Sequence, residues 1–253
     1  MNNLQALIFD VDGTLSDTER DGHRVAFNLA FKEYDLDWNW DIELYGQLLA
    51  VTGGKERMNY FLDHFNTDFQ KTDSTQNLIK ELHQSKTRHY TELLATGTIP
   101  LRTGVKRLLK EALDNNLRIA IATTTTPENV TALLEHALEP GSTEWFDVIA
   151  AGDIVPAKKP APDIYTYALE KMKLPASACL AFEDSENGIR SSMGADLKTL
   201  ITINDYTKDH DFTGAAIVLS DLGEPDNKFT TIAGDDHGFN FVNIDMLKVI
   251  HGH

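Results

Sequence analysis

The sequence contains a single cysteine, Cys179, among 253 residues. One thiol cannot form a disulfide within the chain, which predicts a reducing compartment such as the cytoplasm. Basic residues are also few, because 23 Lys+Arg stand against 39 Asp+Glu, a formal net charge of −16. So acidic a chain argues against nucleic acid or an anionic membrane as the partner. It leaves small anionic molecules open, since a local cluster of cations can override the net charge.

Long hydrophobic runs are absent as well. The apolar run at residues 6–9 ends at Asp10, and no stretch approaches the roughly 18 apolar residues of a membrane helix. We therefore expect neither a signal peptide nor a membrane span, which favours a soluble, cytoplasmic protein. With 42% hydrophobic and 25% charged residues the composition is that of an ordinary globular domain, and we expect a monomeric enzyme.

Six short apolar runs predict β-strands, separated by helical patterns. Most of these runs are continuous rather than alternating, which is typical of parallel strands buried on both faces. Strands that alternate with helices in this way predict a doubly wound, Rossmann-like α/β fold with a parallel sheet. The predicted strands cover residues 4–9, 118–122, 148–151, 179–182, 198–203 and 215–219. The predicted helices between them cover residues 104–115, 127–138, 163–172 and 186–193.

The connection between the first two predicted strands is much longer than the others. It exceeds 100 residues, whereas a plain βαβ unit needs about 30. Apolar and aromatic residues recur through it at helical spacing. We therefore expect a helical cap over residues 17–95, inserted into a core of residues 1–16 and 96–253, with hinges near 15–18 and 96–102.

The strongest chemical signal is the motif Asp10-Val11-Asp12-Gly13-Thr14, directly after the first predicted strand. Ligands of open α/β sheets bind beyond the carboxyl ends of the strands, so both carboxylates are expected in the binding crevice. Two carboxylates this close repel each other, which favours a bound cation or a raised pKa. The motif does not fit a calcium-binding EF-hand, because Leu15 stands where that loop needs glycine. An ordinary Asp-Gly turn remains an alternative for this motif alone.

Three further segments carry residues suited to phosphate chemistry. Four threonines at 123–126 follow the second strand, where hydroxyls and backbone N–H groups suit phosphate oxygens. Lys158 and Lys159 lie in a proline-stiffened turn, and Glu183-Asp184 end the fourth strand. Each segment alone is ambiguous, since threonines also end strands for packing reasons and lysines are usually solvated. Taken together, in this order and near strand termini, they predict one site.

These four motifs resemble those of the haloacid dehalogenase superfamily, in the branch whose helical cap follows the first motif. The resemblance covers nearly the whole chain and implies phosphoryl transfer with Mg²⁺ as cofactor. It implies that Asp10 is the nucleophile and that Asp12 is the general acid and base. Lys159 and Thr123 would stabilise charge on the transferring group. The implied metal ligands are Asp10, the backbone carbonyl of Asp12, and Asp184. Glu183 would either bind the metal through water or orient Lys159.

Cations gather at two places within the predicted cap. Residues 51–57 pair a glycine turn with Lys55 and Arg57, and Lys86 lies on a later helix. The first segment is not a nucleotide-binding P-loop, because Leu49 stands in place of its first glycine and Glu56 in place of its Ser/Thr. The residues themselves leave two interpretations open, an ordinary solvated face or an anion site.

Within the capped branch the sequence is similar to the CbbY-type sugar-phosphate phosphatases, on residues 18–24, 51–57 and 146–153. This resemblance implies hydrolysis of xylulose 1,5-bisphosphate, an inhibitor that Rubisco forms in the Calvin cycle. A bisphosphate needs a second anion site away from the metal. Asp17 stands where the family usually has Glu, so its reach is shorter. The implied substrate-binding residues are Asp17, His23, Arg24, Gly53, Gly54, Lys55, Arg57, Lys86, Thr124 and Thr125.

Other functions fit the same motifs. A sugar mutase like β-phosphoglucomutase shares all four motifs and the cap type, and differs in cap closure, which motifs do not display. A phosphatase of broad range, acting on several sugar phosphates or on phosphoglycolate, is a second alternative. A dehalogenase is disfavoured, because its chemistry has no use for an acid such as Asp12. A non-catalytic binding module would have lost a catalytic residue, and none is missing.

Overall fold

A computed structural model describes residues 3–252 of the chain. Residues 1, 2 and 253, which belong to the predicted core, lie outside the described residues. The strands are β1 (Ala6–Phe9), β2 (Arg118–Ala122), β3 (Val148–Ala150), β4 (Cys179–Glu183), β5 (Lys198–Thr202), β6 (Ile217–Leu219) and β7 (Thr231–Gly234). In the described part of the chain they form one sheet of seven strands, in the order β3-β2-β1-β4-β5-β6-β7.

Strand β1 lies inside the sheet between β2 and β4 and is fully buried. Its side chains alternate between two hydrophobic clusters on opposite faces of the sheet, which explains its continuous apolar sequence. It pairs in parallel with both neighbours, so that Phe9 lies opposite Ile121 and Phe182. Three strands therefore end at the same edge of the sheet, beside Asp10.

The doubly wound α/β fold that the sequence predicts is confirmed, with one strand more than predicted. β7 pairs antiparallel with β6 at the edge of the sheet. Its residues are mostly exposed. They therefore lack the continuous apolar run that marks the buried parallel strands.

Nine α-helices occur in the described part of the chain, some flanking the sheet on both faces and others forming the segment between β1 and β2. They are α1 (Arg24–Glu33), α2 (Ile42–Leu48), α3 (Gly54–His64), α4 (Thr75–Ala95), α5 (Val105–Asp114), α6 (Pro127–Leu133), α7 (Asp163–Met172), α8 (Glu186–Gly194) and α9 (Ile244–Gly252). Apolar residues of α5, α6 and α9 pack on one face and those of α7 on the other. The helix predicted at 127–138 is interrupted, because a π-helical turn at Leu134–Leu138 follows α6. None of the described helices combines the length and apolar character that crossing a bilayer requires.

The chain between β1 and β2 forms a helical insert, which runs from a π-helical turn at Glu19–His23 to the end of α4 at Ala95. The insert has a hydrophobic cluster of its own that is rich in aromatic side chains. Trp40 and Tyr45 are completely buried in it, and the Trp40 ring centroid lies 4.6 Å from that of Phe27. These rings give the insert a core independent of the sheet.

Candidate active site

Polar residues converge at the edge of the sheet where the parallel strands end. Asp10 follows β1, Thr123 follows β2 and Asp184 follows β4. Strand pairing continues up to the site, since the Asp10 N–H donates to the Phe182 carbonyl at 3.0 Å. Residues far apart in sequence therefore share one crevice, as in other open α/β sheets.

Three carboxylates, those of Asp10, Glu183 and Asp184, form an acidic group at this edge. One oxygen of each lies within 4.8 Å of the others, and all three residues are buried. Burial raises the pKa of Asp10 to about 8, although the Lys159 ammonium opposes it. Burial and the charges of Asp10 and Glu183 raise the pKa of Asp184 well above its usual range. So concentrated a negative charge favours a bound cation.

Lys159 lies between two of these carboxylates. Its Nζ donates to Asp10 Oδ1 and to Glu183 Oε1, both at 2.6 Å. Tyr165 of α7 donates its hydroxyl to the same Glu183 oxygen, also at 2.6 Å. Burial lowers the pKa of Lys159, but the two carboxylates outweigh it and raise the pKa above its usual value. The lysine therefore stays a cation and offsets part of the charge of the acidic group.

The acidic group fits a hard divalent cation such as Mg²⁺. Carboxylate oxygens are the protein ligands that Mg²⁺ prefers. The space beside Asp184 depends on Gly13, because a Cβ on Gly13 would lie 2.2 Å from Asp184 Oδ2. The same oxygen accepts a hydrogen bond from Asn204 Nδ2 at 2.7 Å, which fixes its orientation. Asp10 and Asp184 are thus the carboxylates suited to hold the ion.

Asp12 directs its carboxylate to other partners. Its Oδ1 accepts hydrogen bonds from Thr18 Oγ1 at 2.6 Å and from the His23 ring at 2.7 Å. Burial raises the pKa of Asp12, but these two groups outweigh it and bring the pKa to about 2. On its far side, His23 Nδ1 lies 2.7 Å from Lys86 Nζ. Because lysine can only donate, the ring carries its proton on Nε2 and donates it to Asp12.

Two adjoining cavities lie over the strand ends. The first has a volume of about 330 Å³ and is lined by the acidic group, Lys159 and Thr123, among others. The second has a volume of about 250 Å³. The lining residues common to both are Asp12, Glu19, Arg57 and Thr124. Of the predicted substrate residues, the second cavity brings together His23, Gly53, Gly54, Lys55, Arg57, Lys86, Thr124 and Thr125.

The remaining two predicted substrate residues lie elsewhere. Asp17 pairs with Arg102 at 3.3 Å and lines a third cavity. Arg24 donates to the backbone carbonyls of Arg20 and Trp40, at 3.1 and 3.3 Å. Within the described part of the chain, the linings of the first two cavities include neither Asp17 nor Arg24.

The cations of the second cavity differ in their surroundings. Arg57 and Lys86 are buried, with 7% and 4% of their surface exposed. Arg57 donates to the Tyr45 hydroxyl at 2.8 Å and lies 3.6 Å from Glu19. Lys55 is more exposed and pairs with Asp153 at 2.5 Å. Buried charges are screened less by solvent, so Arg57 and Lys86 act more strongly on an anion in the cavity.

The sequence prediction omits several residues of this site. Asn204 stands just beyond β5, so the strand-end rule that identifies Asp10 also points to it. Glu19 accepts a hydrogen bond from the Tyr45 hydroxyl on the wall between the cavities. Glu19 lies in the π-helical turn and Tyr45 in α2, and no local sequence pattern links the two.

A sheet of this strand order, with an acidic group and a lysine at its carboxyl edge and a helical insert after β1, defines a hydrolase of the haloacid dehalogenase type. The sequence model of the haloacid dehalogenase-like hydrolase family matches residues 4–195. The chain therefore belongs to this family.

Within this hydrolase family, the chain is similar to several CbbY proteins. The chain is 45% identical to protein CbbY of Cupriavidus necator over 222 residues, which cover 88% of this chain and 87% of that protein. It is 46% identical to CbbY of Rhodobacter capsulatus over 219 residues, covering 87% and 94% of the two chains. A solved structure of a variant of CbbY from Rhodobacter sphaeroides, in complex with xylulose-(1,5)bisphosphate, matches at 44% identity with a TM-score of 0.80, covering 86% and 94%. This chain is an enzyme of the phosphatase class.

Proposed function

We propose that the protein is a magnesium-dependent sugar-phosphate phosphatase that hydrolyses xylulose 1,5-bisphosphate through an aspartyl-phosphate on Asp10. The observation that carries the substrate proposal is the pair of adjoining cavities. One contains Asp10, the other contains the buried cation Lys86, and the buried cation Arg57 lies on the wall between them. Two separated anion sites match a bisphosphate. The likeness to a CbbY structure in complex with xylulose-(1,5)bisphosphate supports the same substrate.

In the first step Asp10 attacks phosphorus. Lys159, 2.6 Å from Asp10, offsets the charge of the nucleophile and of the phosphoryl oxygens. Glu183 holds that ammonium from its other side, and Thr123 offers its hydroxyl to the phosphoryl group. Bound by Asp10, Asp184 and the backbone carbonyl of Asp12, Mg²⁺ would supply further positive charge to the phosphate.

Asp12 acts as general acid and then as general base. It protonates the departing sugar oxygen, and later takes a proton from the water that hydrolyses the aspartyl-phosphate. The hydrogen bonds from Thr18 and His23 hold its carboxylate in one orientation. They also favour the ionised form, which is the form required for the second step. The first step requires the protonated form, which the negative charge of a phosphate bound beside Asp12 favours. The proton given to the sugar oxygen in the first step returns to Asp12 from water in the second.

The second phosphate binds between the helical insert and the strand ends. Arg57 is the better placed cation for it, because Tyr45 holds its guanidinium at 2.8 Å. Lys86 adds a second buried charge and lies 5.1 Å from the ring centroids of Phe27 and Tyr90. Lys55 contributes at the rim of the same cavity.

We assign residues 17–95 to a cap that closes over a core of residues 1–16 and 96–253, with hinges at 15–18 and 96–102. The two hinge segments are joined by a hydrogen bond from the Arg102 N–H to the Leu15 carbonyl at 2.9 Å. A cytoplasmic monomer with neither a nucleic acid nor a membrane partner remains our expectation. A role in clearing a Rubisco inhibitor from the Calvin cycle follows from the proposed substrate.

The test is phosphate release with Mg²⁺ across a panel of substrates. The panel holds xylulose 1,5-bisphosphate, ribulose 1,5-bisphosphate, pentose and hexose monophosphates, and β-glucose 1-phosphate, with the Asp10→Asn variant as the inactive control. We expect kcat/KM for xylulose bisphosphate at least ~100-fold above the monophosphates, about 2.7 kcal/mol of transition-state discrimination. Equal, weak activity across the panel would indicate a broad-range phosphatase. Isomerisation of β-glucose 1-phosphate without phosphate release would indicate a mutase.

A further inference from the structure

We propose that Tyr206 is a positioning residue that links the helical insert to Asp184 of the metal site, acting through Asn204. The link runs through the loop that follows β5. One side chain of this loop holds a carboxylate of the acidic group, and another is seated on the helical insert. The inference rests on the proposed magnesium site, which titration of Mg²⁺ into the wild-type chain tests separately.

Asn204 is held at both ends of its amide. Its Nδ2 donates to Asp184 Oδ2 at 2.7 Å, and its Oδ1 accepts from the backbone N–H of Tyr206 at 2.9 Å. The turn is closed by a hydrogen bond from the Asn204 N–H to Thr207 Oγ1 at 3.0 Å. The orientation of the Asp184 carboxylate therefore depends on where the backbone of Tyr206 lies. Partners behind a metal ligand commonly set its orientation in this way.

Tyr206 itself packs against the aromatic cluster of the helical insert. Its ring meets Tyr45 edge to face, with centroids 6.2 Å apart. It also lies against Gly46 of α2, where an added Cβ would come within 3.2 Å of the ring. The Tyr206 hydroxyl is buried and has no hydrogen-bond partner in the described structure. The ring, rather than the hydroxyl, therefore makes the contact with the insert.

A second contact between this loop and the insert is weak. Arg20 and Asp205 lie 3.4 Å apart, but both side chains are largely exposed. Exposed ion pairs contribute little to stability. Tyr206 is therefore the main contact of this loop with the insert. A separate contact joins the insert to the start of α8, where Asn187 donates to the Ala50 carbonyl and to Thr52 Oγ1 at 3.3 and 3.2 Å, but it does not involve Asn204.

The consequence is a coupling between insert position and metal affinity. When the insert is seated on Tyr206, Asn204 holds Asp184 ready for the ion. By linkage, the bound ion favours the seated insert to the same extent. Removing the ring frees the loop, so Asp184 loses its fixed hydrogen bond and Mg²⁺ binds more weakly.

The experiment is calorimetric titration of Mg²⁺ into the metal-free full-length chain. We expect the dissociation constant to rise at least ~10-fold in Asn204→Ala, since removing a partner of a metal ligand typically costs about 10- to 100-fold. Tyr206→Ala acts only through Asn204 and should raise it roughly 5- to 20-fold. Tyr206→Phe keeps the ring and should stay within about 2-fold of the wild type. Tyr60→Ala is the matched control, because it removes a half-buried ring from the same cluster without touching the loop.

A change on the insert side provides an independent test, should Tyr206→Ala fold poorly. Gly46→Leu places a side chain against the Tyr206 ring and should weaken Mg²⁺ binding as Tyr206→Ala does. Circular dichroism and thermal unfolding verify that each variant is folded. Wild-type affinity in folded Tyr206→Ala or Gly46→Leu, with weak binding in Asn204→Ala, would overturn the link while leaving the magnesium site intact. No Mg²⁺ binding by the wild type would overturn both proposals.

Discussion

The ammonium group of Lys86 lies 2.7 Å from Nδ1 of His23. The opposite nitrogen of that ring donates to Asp12, the proposed acid and base. A cation of the helical insert therefore acts on a carboxylate of the sheet edge through one aromatic ring. Burial lowers the pKa of Lys86 to about 8, although the charges of Asp12 and Glu19 oppose it. Lys86 therefore loses its positive charge as the pH rises through about 8.

The first prediction concerns the pH dependence of kcat/KM for xylulose 1,5-bisphosphate. Below pH 8 Lys86 is protonated and attracts the second phosphate, and above pH 8 that charge is lost. With Mg²⁺ saturating, the bound cation keeps Asp10 ionised over this range. Since kcat/KM reports groups of the free enzyme, we then expect it to fall about 10-fold between pH 7.5 and 9.5. Lys86→Met should be less active throughout and lack this fall. An equal fall in Lys86→Met would assign the titration to another group.

The second prediction separates the two aspartates of the first motif. Asp10→Asn should lower kcat by at least ~10⁴-fold, because an amide cannot act as the nucleophile. No radiolabelled phosphate should remain on this variant after an acid quench. Asp12→Asn, given acetyl phosphate, should instead retain the label, because acetate leaves without a proton and only the hydrolysis step is blocked. Label on Asp10→Asn would contradict the assignment of the nucleophile.

The third prediction tests the space that Gly13 provides. Gly13 has φ +89°, and its Cβ would lie 2.2 Å from Asp184 Oδ2. Gly13→Ala should therefore weaken Mg²⁺ binding by at least ~10-fold in a calorimetric titration. Gly97→Ala is the matched control, since Gly97 has φ +69° but nothing within 4 Å of its Cβ position. It should cost about 1 kcal/mol of stability and leave the affinity unchanged. Equal Mg²⁺ affinities in the two variants would show that the space beside Asp184 is not required.

The fourth prediction compares Arg57 with Lys55, two cations that line the proposed second anion site. Arg57 is buried against Tyr45, whereas Lys55 is partly exposed and paired with Asp153. We expect Arg57→Ala to lower kcat/KM for xylulose bisphosphate at least ~30-fold, and Lys55→Ala less than about 3-fold.

The control for the fourth prediction is a substrate with one phosphate. With p-nitrophenyl phosphate, which has no second phosphate, Arg57→Ala should lose far less activity than with the bisphosphate. An equal loss on both substrates would mean that Arg57 maintains the fold of the site rather than binding the second phosphate.

The α/β fold and the position of the acidic motif could be predicted because their signals are local. A buried parallel strand needs a continuous apolar run, and a ligand site in such a sheet lies where the run stops. Asp10 and Glu183 are found in this way. β7 is not predicted, because an exposed edge strand needs no such run. The contacts of Asp17 with Arg102 and of Arg24 with the Trp40 carbonyl cannot be predicted from the sequence either, since neither follows from the spacing of the motifs.

The order of strands and helices, the insertion after β1 and the chemistry present at the strand ends follow from the amino-acid sequence. These features depend on residue type and short-range spacing, which the chain carries without folding. Which cations are buried, as Arg57 is, and which pair with a neighbouring acid, as Lys55 does, becomes apparent only in the folded chain. The same is true of the arrangement in which Tyr206 lies on the insert while Asn204 holds Asp184. Such contacts join segments far apart in sequence, so they depend on how the insert packs against the sheet.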